Sequence, residues 1–247
     1  MAARPALPPT GLDRRTLGEE IAVVLSLSLL ASVVYAVISL LEAPLAGVTT
    51  FAVSQSTSVA RQVTGLVFGF APVWLVVHLA RRDGGVAEIL GLDLAARSRD
   101  VRNGALLFAA MGSGGAALYL AAVELGVNRF VVPAPPAGYW WTVPILLLAS
   151  ARAAFLEEIV AVGYLVTRLG QRGWSPRRVV AASAVLRAAY HLYQGWGGFL
   201  GNLVLGVVFA GWFARTRRTW PLVVAHLLLD VAAGGIYLAF RDRLPGF

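Results

Sequence analysis

Long apolar runs separated by short polar segments dominate the hydrophobic pattern of the chain. An α-helix needs about 20 apolar residues to cross the hydrocarbon core of a bilayer, and the runs approach that length. The pattern therefore predicts an all-α, polytopic membrane helix bundle of about seven transmembrane helices, with the functional site in the C-terminal four. The predicted spans are residues 18–41, 62–80, 103–124, 142–168, 178–194, 199–214 and 220–239.

One membrane domain, residues 18–247, accounts for this pattern, and no second domain is needed. Residues 1–17 are Pro-rich and then charged, which predicts a disordered cytoplasmic tail. The apolar run that follows is too long for the core of a signal peptide and lacks a clear cleavage site with small residues. We therefore interpret it as the first span.

The composition supports a membrane protein and restricts its partners. Hydrophobic residues make up 58% of the chain and charged residues 14%, far from the balance of a soluble domain. Most arginines lie in segments 14–15, 81–102, 168–178 and 215–218, which the positive-inside rule places in the cytoplasm together with the N-terminus. They form no continuous basic face, so nucleic acid is not an expected partner. We expect an integral protein of a prokaryotic cytoplasmic membrane, with the lipid bilayer as its surroundings.

Ionisable side chains at membrane depth are concentrated in the second half of the chain. Such groups are rare in spans and usually face a cavity, a partner or a reaction. From the rise per residue, Glu157 and Glu158 lie ~15–17 Å from a cytoplasmic helix end, His191 ~20 Å, and His226 and Asp230 ~10–16 Å. Three helices thus place polar groups near the middle of a hydrocarbon layer about 30 Å thick, which favours a shared cavity.

Helical spacing assigns these side chains to faces. His226 and Asp230 are four residues apart and share one face, as do Arg187 and His191. Glu157 and its neighbour differ by ~100° around the helix, so we expect one to face the cavity and the other to seek a cation.

Structural interpretations remain open for several of these residues. A single histidine in a span often only links helices by hydrogen bonds, and the pair of His226 and Asp230 allows the same interpretation. In the run GWGGFLGNLVLGVVFAG, Gly197 and Gly201 lie four residues apart and predict a close-packed helix face. Asn202 in that run either lines the interior or bonds to a neighbouring helix.

Several protease chemistries lack the residues they need. No His-Glu-x-x-His motif occurs, and the segment MGSGG has Met111 where a rhomboid-like site has glycine. Asp230 is the only aspartate in a predicted span, so an aspartyl pair is absent, and the chain has no cysteine nucleophile. A glutamate and two histidines remain. A carboxylate in a dry site suits general-base catalysis, and histidines suit water activation and oxyanion stabilisation.

Three segments resemble the motifs of one protease family. They are EEIVAVGYLVTRL, LRAAYHLYQGWGGFLGN and WPLVVAHLLLD. They are similar, in this order, to the Glu-Glu-x-x-x-Arg, Phe-x-x-x-His and His-x-x-x-Asn/Asp motifs of the CPBP family of intramembrane proteases. That family, also called the Abi family, includes the CAAX prenyl proteases. The resemblance covers residues 142–239, which we therefore expect to form a CPBP-like catalytic core.

The resemblance implies a hydrolase, a glutamate-type intramembrane endopeptidase that uses an activated water. It makes Glu157 the water-activating base together with His191, and His226 with Asp230 the pair that stabilises the oxyanion. The implied substrate is a membrane-embedded or membrane-proximal peptide, and no cofactor is required. In the metal-dependent alternative, Glu157, His191 and His226 would hold zinc.

Two positions depart from the family motifs. Val162 stands where the first motif has arginine, and Arg187 stands where the second has phenylalanine. Because Glu158 then lacks an arginine four residues away, we expect Arg187 to supply the charge across the helix interface, with Arg152 as the second candidate. Glu158, Arg187 and Asn202 are thus the expected supporting residues.

Two other classes of function remain open. A non-catalytic membrane scaffold or immunity-type factor would keep the cavity without hydrolysis. A transporter would use the polar cluster as a proton relay. Broken helices in a repeated arrangement would favour transport, and the sequence shows no internal repeat.

Overall fold

Helices make up 78% of the computed structural model, which describes residues 5–42, 51–52 and 56–241. The helices are α1 (Arg14–Ser26), α2 (Leu29–Glu42), α3 (Val59–Gly69), α4 (Ala71–Arg82), α5 (Val86–Leu90), α6 (Arg97–Glu124), α7 (Thr142–Leu156), α8 (Leu165–Gln171), α9 (Pro176–Tyr190), α10 (Trp196–Thr216) and α11 (Trp220–Phe240). A π-helix, Glu157–Tyr164, joins α7 to α8, and a 3-10 turn, Leu192–Gln194, follows α9. Strands β1 (Phe51–Ala52) and β2 (Val131–Val132) form a short parallel pair. The predicted all-α class is confirmed.

Four of the described helices are long and apolar enough to cross a membrane: Val59–Arg82, which combines α3 and α4, together with α6, α10 and α11. The pair of α1 and α2, bent by 51°, qualifies as a fifth if it forms one span. These helices support an integral membrane protein.

Two predicted spans differ from these helices. The helix from Thr142 carries Arg152, Glu157 and Glu158 among its first eighteen residues, and α9 has only 15 residues, about 22 Å of helix. The charged groups that suggest a site are thus the ones that lower the apolar character of this helix. The count of seven spans and the placement of the site in the last four stay predictions.

The π-helix lies in the core of the molecule. All of its residues except Glu157 are buried. Gly163 lets α5 approach closely, because a Cβ at this position would lie 2.8 Å from the carbonyl oxygen of Leu90. Thr167 on α8 donates to the carbonyl of Ile89 at 2.8 Å, which fixes the same contact. The π-helix that begins with the two glutamates is therefore fixed by its contact with the end of α5.

The predicted close-packed face of α10 is present, and its partner is α6. A Cβ at Gly197 would lie 2.4 Å from the Cβ of Ala122, so only glycine permits this approach. One turn later, Gly201 faces Leu118 at an ordinary van der Waals distance of 3.4 Å. The small-residue spacing in this run therefore serves helix packing.

The arginine-bearing helix ends gather at one end of the molecule. Arg168 is fully buried, with its Nη1 2.6 Å from Oδ2 of Asp83 and its Nε 3.0 Å from Oε1 of Glu20. Arg218 donates to Asp100 at 2.5 Å. The segments that the charge pattern assigns to one side of the membrane thus lie together. Which side faces the cytoplasm stays a prediction.

The described part of the N-terminal segment contacts this same end. Thr10 donates to Oδ2 of Asp83 at 2.7 Å, and the carbonyl of Pro8 accepts from Gln171 at 3.1 Å. Asp13 then caps α1. The predicted tail at residues 1–17 and the core boundaries at 142 and 239 stay predictions.

Candidate active site

Two adjacent glutamates begin the π-helix in the middle of the helix that runs from Thr142 to Gln171. The side chain of Glu158 is 0% exposed, whereas that of Glu157 is 14% exposed. π-Helical turns are rare and are frequent at functional sites. Since their i→i+5 bonds place more residues in a turn than an α-helix does, successive side chains diverge less. Both carboxylates therefore reach the interface with α9.

Arg187 of α9 contacts both carboxylates. Its Nη1 lies 3.3 Å from Oε2 of Glu157, and its Nη2 binds Oε1 of Glu158. The arginine side chain is 1% exposed, so this is a buried ionic cluster. The predicted pairing of Arg187 with Glu158 is confirmed. Arg152, the second candidate, instead lies against Gly69 of α3.

The predicted separation of the two glutamates is only partial. Glu158 binds the cation through Oε1, as expected, but Glu157 meets the same guanidinium. The reason is the planar fork of arginine, which presents N–H groups to two acceptors at once. What distinguishes Glu157 is its exposed edge, which Glu158 lacks.

His226 of α11 lies between two carboxylates. Its Nδ1 is 2.6 Å from Oε1 of Glu158, and its Nε2 is 3.6 Å from Oδ2 of Asp230. The second distance exceeds that of a hydrogen bond, so Asp230 attracts the imidazole without fixing Nε2. Because the side chain of Asp230 is 39% exposed, this nitrogen faces the more open side of the cluster. An imidazolium donates from both nitrogens, which makes Nε2 the available donor.

His191 caps the C-terminus of α9. Its Nδ1 lies 3.0 Å from the carbonyl oxygen of Arg187. A carbonyl only accepts, so Nδ1 carries the proton and Nε2 of the neutral ring is an acceptor. Electrostatic interactions connect Glu157 with both His191 and His226. The structure thus gathers these ionisable residues from three helices at one place.

The loop after α6 holds the turn that contains His191. The backbone N–H of Arg129 donates to the carbonyl of Gln194 at 2.7 Å, and Asn128 accepts from the N–H of Gly198 at 2.8 Å. Gly195, at φ 107°, makes the reversal from α9 into α10 that a residue with a side chain rarely adopts. The loop after α6 therefore holds the turn between His191 and the start of α10 through two hydrogen bonds.

Tyr190 is a site residue that the sequence analysis missed. Its hydroxyl donates to Oε2 of Glu157 at 2.9 Å, and its ring contacts that of His191 with centroids 4.7 Å apart. The signal was its position three residues after Arg187, on the same helix face. Asn202, by contrast, donates to the carbonyl of Gly198 in its own helix at 2.9 Å. Its supporting role stays a prediction.

The side chains as placed do not fit a zinc site. Within residues 5–42, 51–52 and 56–241, no group of three His, Asp or Glu side chains is arranged to hold a metal ion. Nδ1 of His226 faces Glu158, and the guanidinium of Arg187 lies against both glutamates. A second cation there would be repelled by the first. This donor set suits a guanidinium.

Comparison with known proteins agrees with the three motifs. Residues 139–232 match the family model described as type II CAAX prenyl endopeptidase Rce1-like. No curated protein and no solved structure matches the chain. The matched segment contains Glu157, His191, His226 and Asp230, and proteins of this description are peptidases. Through its residues 139–232, this membrane protein is similar to the type II CAAX prenyl endopeptidases of the Rce1-like family, which confirms the predicted resemblance.

Proposed function

We propose that the protein is an intramembrane endopeptidase in which Glu157 and His191 activate a water molecule that attacks a peptide bond. The observation that carries this proposal is that Tyr190 donates to the partly exposed carboxylate of Glu157 and contacts the ring of His191, whose Nδ1 faces a carbonyl so that Nε2 can accept. All three residues lie in the segment that matches the peptidase family.

Glu157 is suited to act as the base because its two oxygens have different surroundings. Arg187 and Tyr190 both donate to Oε2, and among the described residues no hydrogen bond occupies Oε1. Oε1 therefore accepts the proton of the attacking water while Oε2 is held in place. His191 Nε2 accepts the second hydrogen of that water and orients it. General-base catalysis of this kind contributes about 10²–10⁴-fold.

His226 is suited to stabilise the tetrahedral intermediate. Glu158 holds its Nδ1 at 2.6 Å, and Nε2 then donates to the oxyanion that develops on the scissile carbonyl. Asp230, four residues along α11, stabilises the charged imidazole. The proton taken up by Glu157 passes to the leaving amine, which restores the carboxylate and releases two peptides.

Arg187 is the positioning residue in this scheme. It fixes both glutamates and supplies the positive charge that the family motif places at position 162. Here Val162 is apolar and fully buried, and it offers no charge. In this scheme α9 carries the positive charge that the family pattern places on the helix of the two glutamates.

The family description suggests the first substrate to test. A fluorogenic peptide with a prenylated Cys-a-a-X terminus is incubated with the protein in liposomes, beside the same peptide without its lipid. Glu157→Gln and His191→Asn should each lower kcat/KM by about 10²-fold or more. The matched control is Glu124→Gln, which removes an exposed carboxylate at the end of α6 and should leave cleavage unchanged. Cleavage that survives both site variants refutes the assignment, and loss of cleavage with a chelator supports the metal-dependent alternative.

One observation favours a second candidate, a non-catalytic membrane scaffold. Arg187 contacts both carboxylates, and a cation on Oε2 of Glu157 makes that glutamate a weaker base. Under this alternative, the wild type cleaves no peptide. The double variant Val162→Arg with Arg187→Phe, which restores the family motifs, would then gain activity. Measurable cleavage by the wild type, equal to that of the restored variant, excludes this candidate.

A further inference from the structure

An open cavity of about 570 Å³ lies where the start of α1 meets the end of α8, far along the chain from the site above. Its lining consists of five α1 residues and one residue after α8: Arg14, Arg15, Gly18, Glu19, Ala22 and Arg172. Three arginines and one glutamate give the lining a net positive charge of two. Nothing in the proposed peptidase chemistry uses this cavity.

Two of the three arginines have no acidic partner among the described residues. The guanidinium of Arg172 packs on Gly18, and its Nε donates only to the backbone carbonyl of Arg14 at 3.1 Å. The guanidinium of Arg14 lies beside Gly173. These two cations converge on one cavity, and like charges that converge without a counter-ion favour an anionic ligand.

The third arginine and the helix N-terminus contribute less. Arg15 is already paired with Glu19 at 2.8 Å on the exposed surface. The first N–H groups of α1 are also occupied, since Asp13 accepts from the backbone of Arg15 and Thr16 at 2.7 and 2.9 Å. The anion would therefore bind to the side chains of Arg14 and Arg172 and not to backbone N–H groups.

The cavity continues onto an apolar helix surface. Ala22 closes its lining, and beyond it Val23, Leu27 and Leu30 are exposed at 54%, 66% and 47%. Ala22 is eight residues from Arg14, about 12 Å along the axis, which is enough to cross the headgroup layer of one leaflet, about 5–8 Å deep, and to reach the acyl chains. A ligand with an anionic head and an apolar tail matches a basic cavity that continues onto an apolar surface.

We propose that the cavity between Arg14 and Arg172 binds the phosphate of an anionic lipid headgroup, with the acyl chains along the exposed face of α1 and α2. Guanidinium groups bind phosphate oxygens through two parallel N–H donors, so two of them form a specific site for one phosphate. A free phosphate shares the head chemistry but lacks the tail. The apolar surface beyond Ala22 favours the lipid.

The test measures lipid binding by isothermal titration calorimetry on the full chain in neutral detergent micelles. The titrants are short-chain phosphatidylglycerol, short-chain phosphatidylcholine and inorganic phosphate. We expect phosphatidylglycerol to bind and the double variant Arg14→Gln with Arg172→Gln to weaken it by about thirtyfold, from the usual contribution of a basic residue near an anionic membrane surface. Arg14→Gln alone, whose side chain holds no other part of the fold, should weaken it by about fivefold.

The matched control removes the same charge outside the cavity. Arg177 and Arg178 are exposed at the start of α9, at the same end of the molecule, and Arg177→Gln with Arg178→Gln should change the dissociation constant less than threefold. Equal weakening by the two double variants means diffuse surface charge and overturns the site. Equal binding of phosphatidylcholine and phosphatidylglycerol overturns it as well. Inorganic phosphate that binds as tightly as the lipid overturns the lipid assignment, and much weaker binding supports it.

Discussion

Replacement of Arg187 by methionine should destabilise the protein more than the same replacement of any exposed arginine. The change keeps a long side chain but removes the cation that contacts Glu157 and Glu158. Glu158, with 0% of its side chain exposed, then keeps only His226 as a partner, and its Oε2 already has no hydrogen bond. An uncompensated buried carboxylate is the result.

The expected cost follows from this burial. Breaking a buried ion pair by removing one partner costs about 3–5 kcal/mol, mostly because the remaining charge is left in a medium of low polarity. The second variant, Arg187→Met with Glu158→Gln, removes that charge and should recover part of the loss. Since the two residues are in contact, the coupling free energy in a double-mutant cycle should be about 1–3 kcal/mol.

The assay is reversible unfolding in mixed micelles, followed by circular dichroism, for the wild type, both single variants and the double variant. Arg178→Met on the exposed start of the same helix is the control and should lie within about 0.5 kcal/mol of the wild type. The reasoning is refuted if Arg187→Met costs no more than this control. It is also refuted if the double variant is less stable than Arg187→Met by the full cost of Glu158→Gln.

Three further predictions concern other contacts. Tyr190→Phe removes the hydroxyl that donates to Glu157, so kcat should fall and the pH profile of kcat should move, while the free energy of unfolding drops by only about 1 kcal/mol. An unchanged pH profile contradicts a positioning role for Tyr190. Gly163→Ala places a methyl group 2.8 Å from the carbonyl oxygen of Leu90 and should lower the free energy of unfolding by about 1–3 kcal/mol. The control Gly65→Ala, where a Cβ would have nothing within 4 Å, should be neutral or stabilising, and equal effects of the two changes would disprove the close approach. Burial alone would raise the pKa of Asp83, but hydrogen bonds from Thr10 and Arg168 outweigh it and hold the pKa below its ordinary value of 3.8. The stabilisation by this carboxylate is therefore complete above about pH 4 and is lost as the pH falls through the lowered pKa, so acid unfolding curves should flatten in Asp83→Asn and would refute the contact if they did not.

Depth along the helices predicted that the ionisable residues of the site lie at a common height, but it did not reveal Tyr190. Glu157, Arg187, His191 and His226 lie on three helices, and counting residues from the arginine-bearing ends placed them at similar heights. Their approach in the structure follows from that simple geometry. The three motifs added their order and roles, and the match over residues 139–232 agrees with the family resemblance.

Backbone irregularities were not predictable in the same way. Nothing in the sequence EEIVAVGY distinguishes i→i+5 from i→i+4 bonding, because every residue after the first is buried and no polar face marks the phase of the helix. The meeting of both glutamates with Arg187 depends on that difference, as does the role of Tyr190. The turn at His191 likewise depends on Asn128 and on its contact with Gly198, far apart in the chain.

The contacts of the N-terminal segment were likewise not predictable from the sequence. Its composition predicts disorder, since proline and charge offer no apolar surface to bury. Contacts of Thr10 with Asp83 and of Pro8 with Gln171 come from polar groups on other segments. Local composition carries no information about such partners.

The π-helix also determines the phase of everything that follows it in the same helix. If the same residues adopted ordinary α-helical bonding, in which about one residue fewer fits into a turn, the helix beyond would be rotated by about 100° relative to α7. Thr167 and Arg168 would turn away from Ile89 and Asp83, although neither residue had been altered. The irregular turn is therefore a phase shift that lets one helix present its glutamates to α9 at mid-length and its arginine to α4 at the end.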